Sequence, residues 1–211
     1  QAWDTVKGSS DIIVAVIDTG VDYTHPDLAA NVLTSSDWDF ANNDSSALDD
    51  NGHGTHVAGI IAAVTNNNSG VAGVSWYSKI LPVKVLDSGG NGDDYSIAQG
   101  IRYAADNGAR ILNMSFGDTS YPPVAGFVLG PACQYAFAKG CMIICASGNG
   151  YDTSAPPDSI PDVYDRVSYP AAFPESIAVG ATDSSDNRAY FSNYGAELDV
   201  MAPGVSILSA Y

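Results

Sequence analysis

Short, mostly β-branched and aliphatic runs that alternate with stretches of helical period are the feature that most limits what this chain can fold into. The runs are Ile12 to Ile17, Ile80 to Leu86, Arg110 to Met114, Met142 to Ala146 and Ser176 to Val179. Apolar runs of this length without polar alternation read as strands buried on both faces of a parallel sheet. Between them, Ile97, Ile101 and Ala105 recur at helical spacing before Gly108, and the stretch from Val124 to Lys139 ends at Gly140. Both read as crossover helices closed by a glycine. The class is therefore α/β, a parallel sheet covered by helices. With 211 residues, 45% of them hydrophobic, the chain can bury one substantial core and reads as one domain. Tyr151 to Tyr169, rich in Pro, Asp and Ser, reads as a long surface loop rather than a linker.

Charge narrows the partners. Twenty-four acidic residues against 8 basic ones repel phosphate backbones and anionic membranes, and no local basic patch offsets them. Nucleic acid is not an expected partner. No segment approaches the roughly 20 uninterrupted apolar residues of a membrane helix, and the first residues lack the basic start and apolar run of a secretory signal. The chain reads as soluble and already processed. Its acidity fits either bound cations or a well-solvated surface. Cys133, Cys141 and Cys145 match no paired C-x-x-C zinc pattern. They read as small core hydrophobes, with one disulfide through Cys133 left open as an alternative.

Residues able to do chemistry gather where the strands end. Asp18 directly follows the run IIVAVI, at the carboxyl end of a strand, where open parallel sheets place their active groups. Taken alone, Asp-Thr-Gly also suits a turn. In NGHGTHVAGIIAAV, glycines precede a strongly apolar helix and put His53 at its start. A histidine there is a candidate general base, and a carboxylate such as Asp18 would fix its tautomer and stabilise its imidazolium. His56, three residues on without the acidic residue of an H-E-x-x-H site, is expected to be structural. CASGNG closes a third apolar run with Asn149 at its tip, where a side-chain amide can donate to a developing oxyanion or simply turn the chain.

The segments VIDTGVD, HGTHVAGI, SFG and SGNG, together with QAWD, HPDL, WDF, AAVTNNNSG, VKVLD, YPAAFP and VMAPG, resemble the motif set of the subtilases, almost end to end. The resemblance implies a subtilisin-like three-layer α/β fold and a secreted, extracellular serine endopeptidase acting on proteins or peptides. It implies that Asp18 is the triad acid, His53 the base and Asn149 the oxyanion donor. Gly90, Asn91 and Gly92 would form one edge of the substrate groove, and Ser115, Phe116 and Gly117 the other, holding an extended peptide by strand addition. Ala146, Ser147 and Gly148 would line the main specificity pocket, uncharged and hence apolar or broad in preference. Two calcium sites follow from the same likeness. One would use Asp27 and Asn67 side chains with carbonyls of Val64, Ser69 and Val71; the other would use Asp39, Asp44 and Ser46 with Asp50. The Tyr169–Pro170 bond would be cis.

One departure outweighs these matches. Subtilases carry their nucleophile in a Gly-Thr-Ser-Met-Ala motif after the VMAPG segment, and that motif is absent from this sequence. Ser206 and Ser209 follow VMAPG without a preceding glycine or a following apolar helix, so neither suits the role. The expectation is that residues 1–211 are the N-terminal two thirds of a single catalytic domain, inactive alone and completed by a C-terminal companion that carries the serine. The alternative is a noncatalytic relative whose groove binds a peptide or partner without cutting it.

Overall fold

The computed structural model describes residues 2–118, 124–150 and 166–211. The helices are α1 (Ala2–Thr5), α2 (His53–Ala62), α3 (Asp94–Asp106) and α4 (Val124–Ala138). The strands are β1 (Ile13–Asp18), β2 (Trp38–Asp39), β3 (Lys79–Lys84), β4 (Ile111–Met114), β5 (Met142–Ala146), β6 (Ser176–Thr182) and β7 (Val200–Pro203). They form a 7-stranded sheet in the order β2-β3-β1-β4-β5-β6-β7, with every pairing parallel. From β1 the chain goes to the β2 edge, returns through β3 beside β1, then crosses to β4 on the other side of β1 and runs outward to β7. The carboxyl end of β1 is thus the topological switch point, where sheets of this type open a crevice for ligands.

The five expected strands form, with no end shifted by more than three residues. β2 and β7 lie outside those expectations. β2 is only 2 residues long, and β7 carries Pro203, which fits a strand end or sheet edge. Both crossover helices form as well. α3 is capped by Asp93, whose carboxylate accepts from the backbone N–H groups of Tyr95 and Ser96.

The pleat of β1 divides the core. Ala15 and Ile17 pack with Leu81, Val83, Leu112 and Met114 against Ile97, Ile101 and Ala104 of α3 and Leu129, Ala132 and Ala136 of α4. Val14 and Val16 face the other way, with Ile80, against Ala58 and Ala62 of α2. The result is a three-layer molecule, α3 and α4 on one side of the sheet and α2 on the other. β1 and β3 are buried on both faces, as expected. β4, β5 and β6 are not. Their residues facing α3 and α4 are buried, while Ile111, Asn113, Ile144, Ile177 and Val179, on the α2 side by register, are half-buried, and Met142 is 51% exposed. The physical reason is that α2 contacts β1 and β3 and leaves this half of the face without a covering layer among the described residues.

All three cysteines are free and buried, so the disulfide alternative is not realised. Burial pushes the Cys133 thiol up to about 12 and raises Cys145 likewise, which makes both inert at neutral pH. The Tyr169–Pro170 bond is cis. Most of the expected Tyr151 to Tyr169 loop, residues 151–165, lies outside the described residues.

Candidate active site

Asp18 closes β1 and is fully buried. Its Oδ1 accepts from the Thr19 backbone N–H at 2.7 Å and meets Nδ1 of His53 at 2.7 Å. Its Oδ2 is buried without a hydrogen-bond partner. A carboxylate so poorly solvated gains much from a protonated imidazole beside it. The hydrogen bond to Asp18 accordingly raises the His53 pKa above 6.5, against the opposing effect of burial and with further help from the charges of Asp18 and Asp49. The His53 side chain is 49% exposed, so the ring is anchored on one edge and open on the other.

Local sequence explains how the histidine reaches the aspartate. Gly52 takes a left-handed conformation, with φ of 103°, immediately before α2. At Gly54 a side chain is impossible, since a Cβ would sit 2.0 Å from the carbonyl oxygen of Gly20. The helix start therefore presses directly on the turn that follows Asp18. Asp49 ties the two together. Its Oδ1 accepts from Thr19 Oγ1 and from the N–H groups of Asn51 and Gly52, and its Oδ2 accepts from the N–H and Oγ1 of Thr55. Burial works to raise the Asp49 pKa, but the hydrogen bonds from Gly52, Thr55 and Asn51 hold it below the usual carboxylate value. Thr19 Oγ1 in turn accepts from the Gly54 N–H. Lys84, 1% exposed, donates Nζ to the carbonyls of Thr19 and Leu86 and to Asp50, bracing the same turn from β3. The expected site included Asp50 only as a metal ligand and omitted Asp49, Thr19 and Lys84. An aspartate just ahead of an apolar helix is a start signal that would have found Asp49.

A cleft of about 370 Å³ opens beside His53. Ser115, Ala146, Ser147, Gly148 and Asn149 line it too, so the base, the amide and the expected pocket residues share one cavity. Its apolar lining includes Val179 and Phe191. Asn149 is exposed at the end of β5, and Gly148 there has a φ of 108° with no room for a side chain against Ser168 and Asn193. Gly90, Asn91 and Gly92 lie on a separate exposed turn, and Phe116 and Gly117 are not among the lining residues. His56 does line the cleft, and its Nε2 donates to the Ile207 carbonyl at 3.2 Å.

The expected calcium ligands fall into two arrangements. Asp27 is fully buried, and its two oxygens accept from Asn67 Nδ2 and from the Val71 N–H, both neutral donors. A buried carboxylate compensated only by amides, within the loop that also carries Val64 and Ser69, fits a hard cation that takes carboxylate and carbonyl oxygens. Asp39 and Asp44 bond each other through their backbones, and the Ser46 N–H donates to Asp44 Oδ1. Asp50 is not with them, being held by Lys84. Among the described residues no three His, Cys, Asp or Glu side chains converge as a metal cluster.

A parallel sheet with a carboxylate–imidazole pair at its switch point, facing an amide across a cleft, defines an α/β protein equipped for general-base chemistry. Residues 9–211 match the model of the subtilase family. The chain is 46% identical to thermitase of Thermoactinomyces vulgaris over 211 residues, 100% of this chain and 69% of that protein. It is also 46% identical to a thermophilic serine proteinase of Bacillus sp. (strain AK1), covering 99% of this chain and 47% of the relative. Its fold is similar to the crystal structure of a cold adapted subtilisin-like serine proteinase, with a TM-score of 0.80, 32% identity, and 98% of this chain and 67% of that one covered. The chain belongs to the subtilase family, a family of serine endopeptidases. It spans between about half and two thirds of the length of these relatives.

Proposed function

We propose that the chain is the acid- and base-bearing part of a secreted serine endopeptidase, the N-terminal two thirds of one catalytic domain, whose nucleophilic serine is supplied by residues outside these 211. The 2.7 Å contact between Asp18 and His53, at a cleft shared with Asn149, is the observation that carries this reading. With the proton on Nδ1 held by Asp18, His53 keeps Nε2 as the basic nitrogen. That nitrogen takes the proton of the serine hydroxyl as the oxygen attacks the scissile carbonyl, and Asp18 stabilises the resulting imidazolium. Asn149 donates from Nδ2 to the oxyanion. His53 then returns the proton to the leaving amine, and water repeats the sequence to release the acyl group. Gly90 to Gly92 and Ser115 to Gly117 hold the peptide as an added strand, and the uncharged pocket of Ala146, Ser147 and Gly148 accepts an apolar side chain.

The half-covered face of β4 to β6 supports a further layer, from a longer chain or a companion fragment, that both fills the core and brings the serine. Calcium belongs to the same reading, held through Asp27, Asn67 and the carbonyls of Val64, Ser69 and Val71, where it would neutralise buried charge and stiffen a loop. Asp39, Asp44 and Ser46 are the weaker set. Lack of a Gly-Thr-Ser motif favours one other reading, a noncatalytic peptide-binding relative. The test is to prepare residues 1–211 alone and with the segment encoded downstream, then measure near-UV circular dichroism and peptidase activity. The proposal expects tertiary signal and activity only in the longer form. An active 1–211 chain would overturn it, and a longer form that folds without cleaving peptides would establish the noncatalytic reading.

A further inference from the structure

Asn-Gly pairs are the most labile backbone sites of an aqueous protein, because glycine has no side chain to shield its amide nitrogen from the neighbouring carboxamide. This chain has four, at Asn51, Asn91, Asn107 and Asn149. The last places the proposed oxyanion donor itself in such a pair. Asn149 is exposed, so water and base reach it freely. The next residue is restrained from an unexpected direction: the Gly150 N–H donates to Oδ1 of Asn193 at 2.8 Å. Asn193 is fully buried and each of its own polar atoms is hydrogen-bonded. Its Nδ2 donates to Ser168 Oγ at 3.2 Å, its backbone N–H donates to the Gly148 carbonyl, and its own carbonyl accepts from Ser147 Oγ. One residue of the 189–195 turn thus holds three positions of the loop, 147 and 148 through its backbone and 150 through its side chain.

We propose that Asn149 is a deamidation site and that Asn193 is the positioning residue that keeps it closed. In the reaction the Gly150 nitrogen loses its proton and attacks Cγ of Asn149. The Cγ–Nδ2 bond breaks, ammonia leaves, and a cyclic imide forms. Water then opens either imide carbonyl to give aspartate or isoaspartate. The first step needs the Gly150 nitrogen deprotonated and turned toward its neighbour, and a hydrogen bond to a rigid buried acceptor opposes both. The consequence for catalysis rests on the reading of Asn149 as the oxyanion donor. Deamidation replaces that donor by a carboxylate, which accepts where the reaction needs donation and repels the developing oxyanion. The molecule therefore carries a built-in ageing step at its own catalytic amide, slowed by a residue 43 positions away from the bond it guards.

The test follows deamidation at each Asn-Gly pair by peptide mass spectrometry with isoaspartate labelling, in the intact active protein held at mildly alkaline pH with a reversible inhibitor to suppress autolysis. Asn149 should age more slowly in the folded protein than in the same protein in urea, while Asn91, on its exposed turn, changes little. Asn193→Ala should speed ageing of Asn149 roughly fivefold, the factor corresponding to the net worth of one hydrogen bond. Asn193→Asp, which keeps an acceptor for Gly150, should restore the slow rate. Peptidase activity should decay in step with the Asn149 modification. If Asn149 ages equally fast folded and unfolded, or if Asn193→Ala leaves its rate unchanged, the inference is wrong. Should Asn149 deamidate as described while activity persists, the modification site stands and the oxyanion role of Asn149 falls instead.

Discussion

On the proposed mechanism a single proton position on His53 governs the chemistry, and Asp18 sets it. The base must be neutral to accept the serine proton, so kcat/KM should rise with pH through the His53 pKa, with a midpoint above 6.5 because the Asp18 hydrogen bond raises it. The same shift contributes to folding in the opposite direction. That stabilisation is complete below pH 6.5 and is lost as pH rises through the folded value, and solvent at the half-exposed ring screens it. In the serine-bearing enzyme, Asp18→Asn should lower the midpoint and reduce kcat about 10⁴-fold, the order of loss when the aspartate of a serine-peptidase triad is replaced. A midpoint unmoved in Asp18→Asn would show that the pair does not control the base. Asp18, His53 and Asn149 were legible in the sequence because each ends an apolar run or opens one. Asp49 was overlooked although it stands just ahead of an apolar helix, and Asn193 was not legible, since its hydrogen bonds reach residues 25 to 46 positions away that no local pattern connects.

The decisive element is the start of α2. Its first turn fits against the end of β1 only because Gly54 has no side chain, and a Cβ there would meet backbone rather than a yielding side chain. Gly54→Ala should therefore cost about 1 to 3 kcal/mol of stability, the usual range for overpacking, and also reduce kcat by moving His53 off Asp18. Thermal unfolding and kinetics on the same variant check this; a variant as stable and active as the parent would mean that the turn can yield. Strands were read well wherever burial made the run continuous, as in β1 and β3. β2 escaped notice because 2 residues make no pattern, and β7 because its proline and exposed positions look like loop. The expectation of burial on both faces failed at β4 to β6, since an apolar residue is written the same way whether or not its covering layer is present.

Charge and coverage act on the molecule as a whole. A net charge of −16 strains a compact chain, and cations bound at fixed sites relieve part of that strain. Chelation should lower the melting temperature, by the equivalent of about 3 kcal/mol if calcium had been present at a hundredfold excess over its Kd, and speed self-digestion. Asp27→Asn should remove most of that response, and a melting curve indifferent to chelator would rule out a stabilising cation. The sequence showed the layered fold and the motif set but not which half of the sheet lies open. Leu208 and Tyr211 add exposed apolar side chains, at 86% and 85% exposure. On the proposed reading, Asp18 and His53 serve a serine that these 211 residues do not contain. Labelling the purified, active protein with a fluorophosphonate and locating the modified residue by tandem mass spectrometry tests it most directly. One labelled serine is expected, in a peptide absent from this sequence, and no label in His53→Ala. Label on Ser206, Ser209 or any other serine within residues 1–211, or full activity without label, would contradict it.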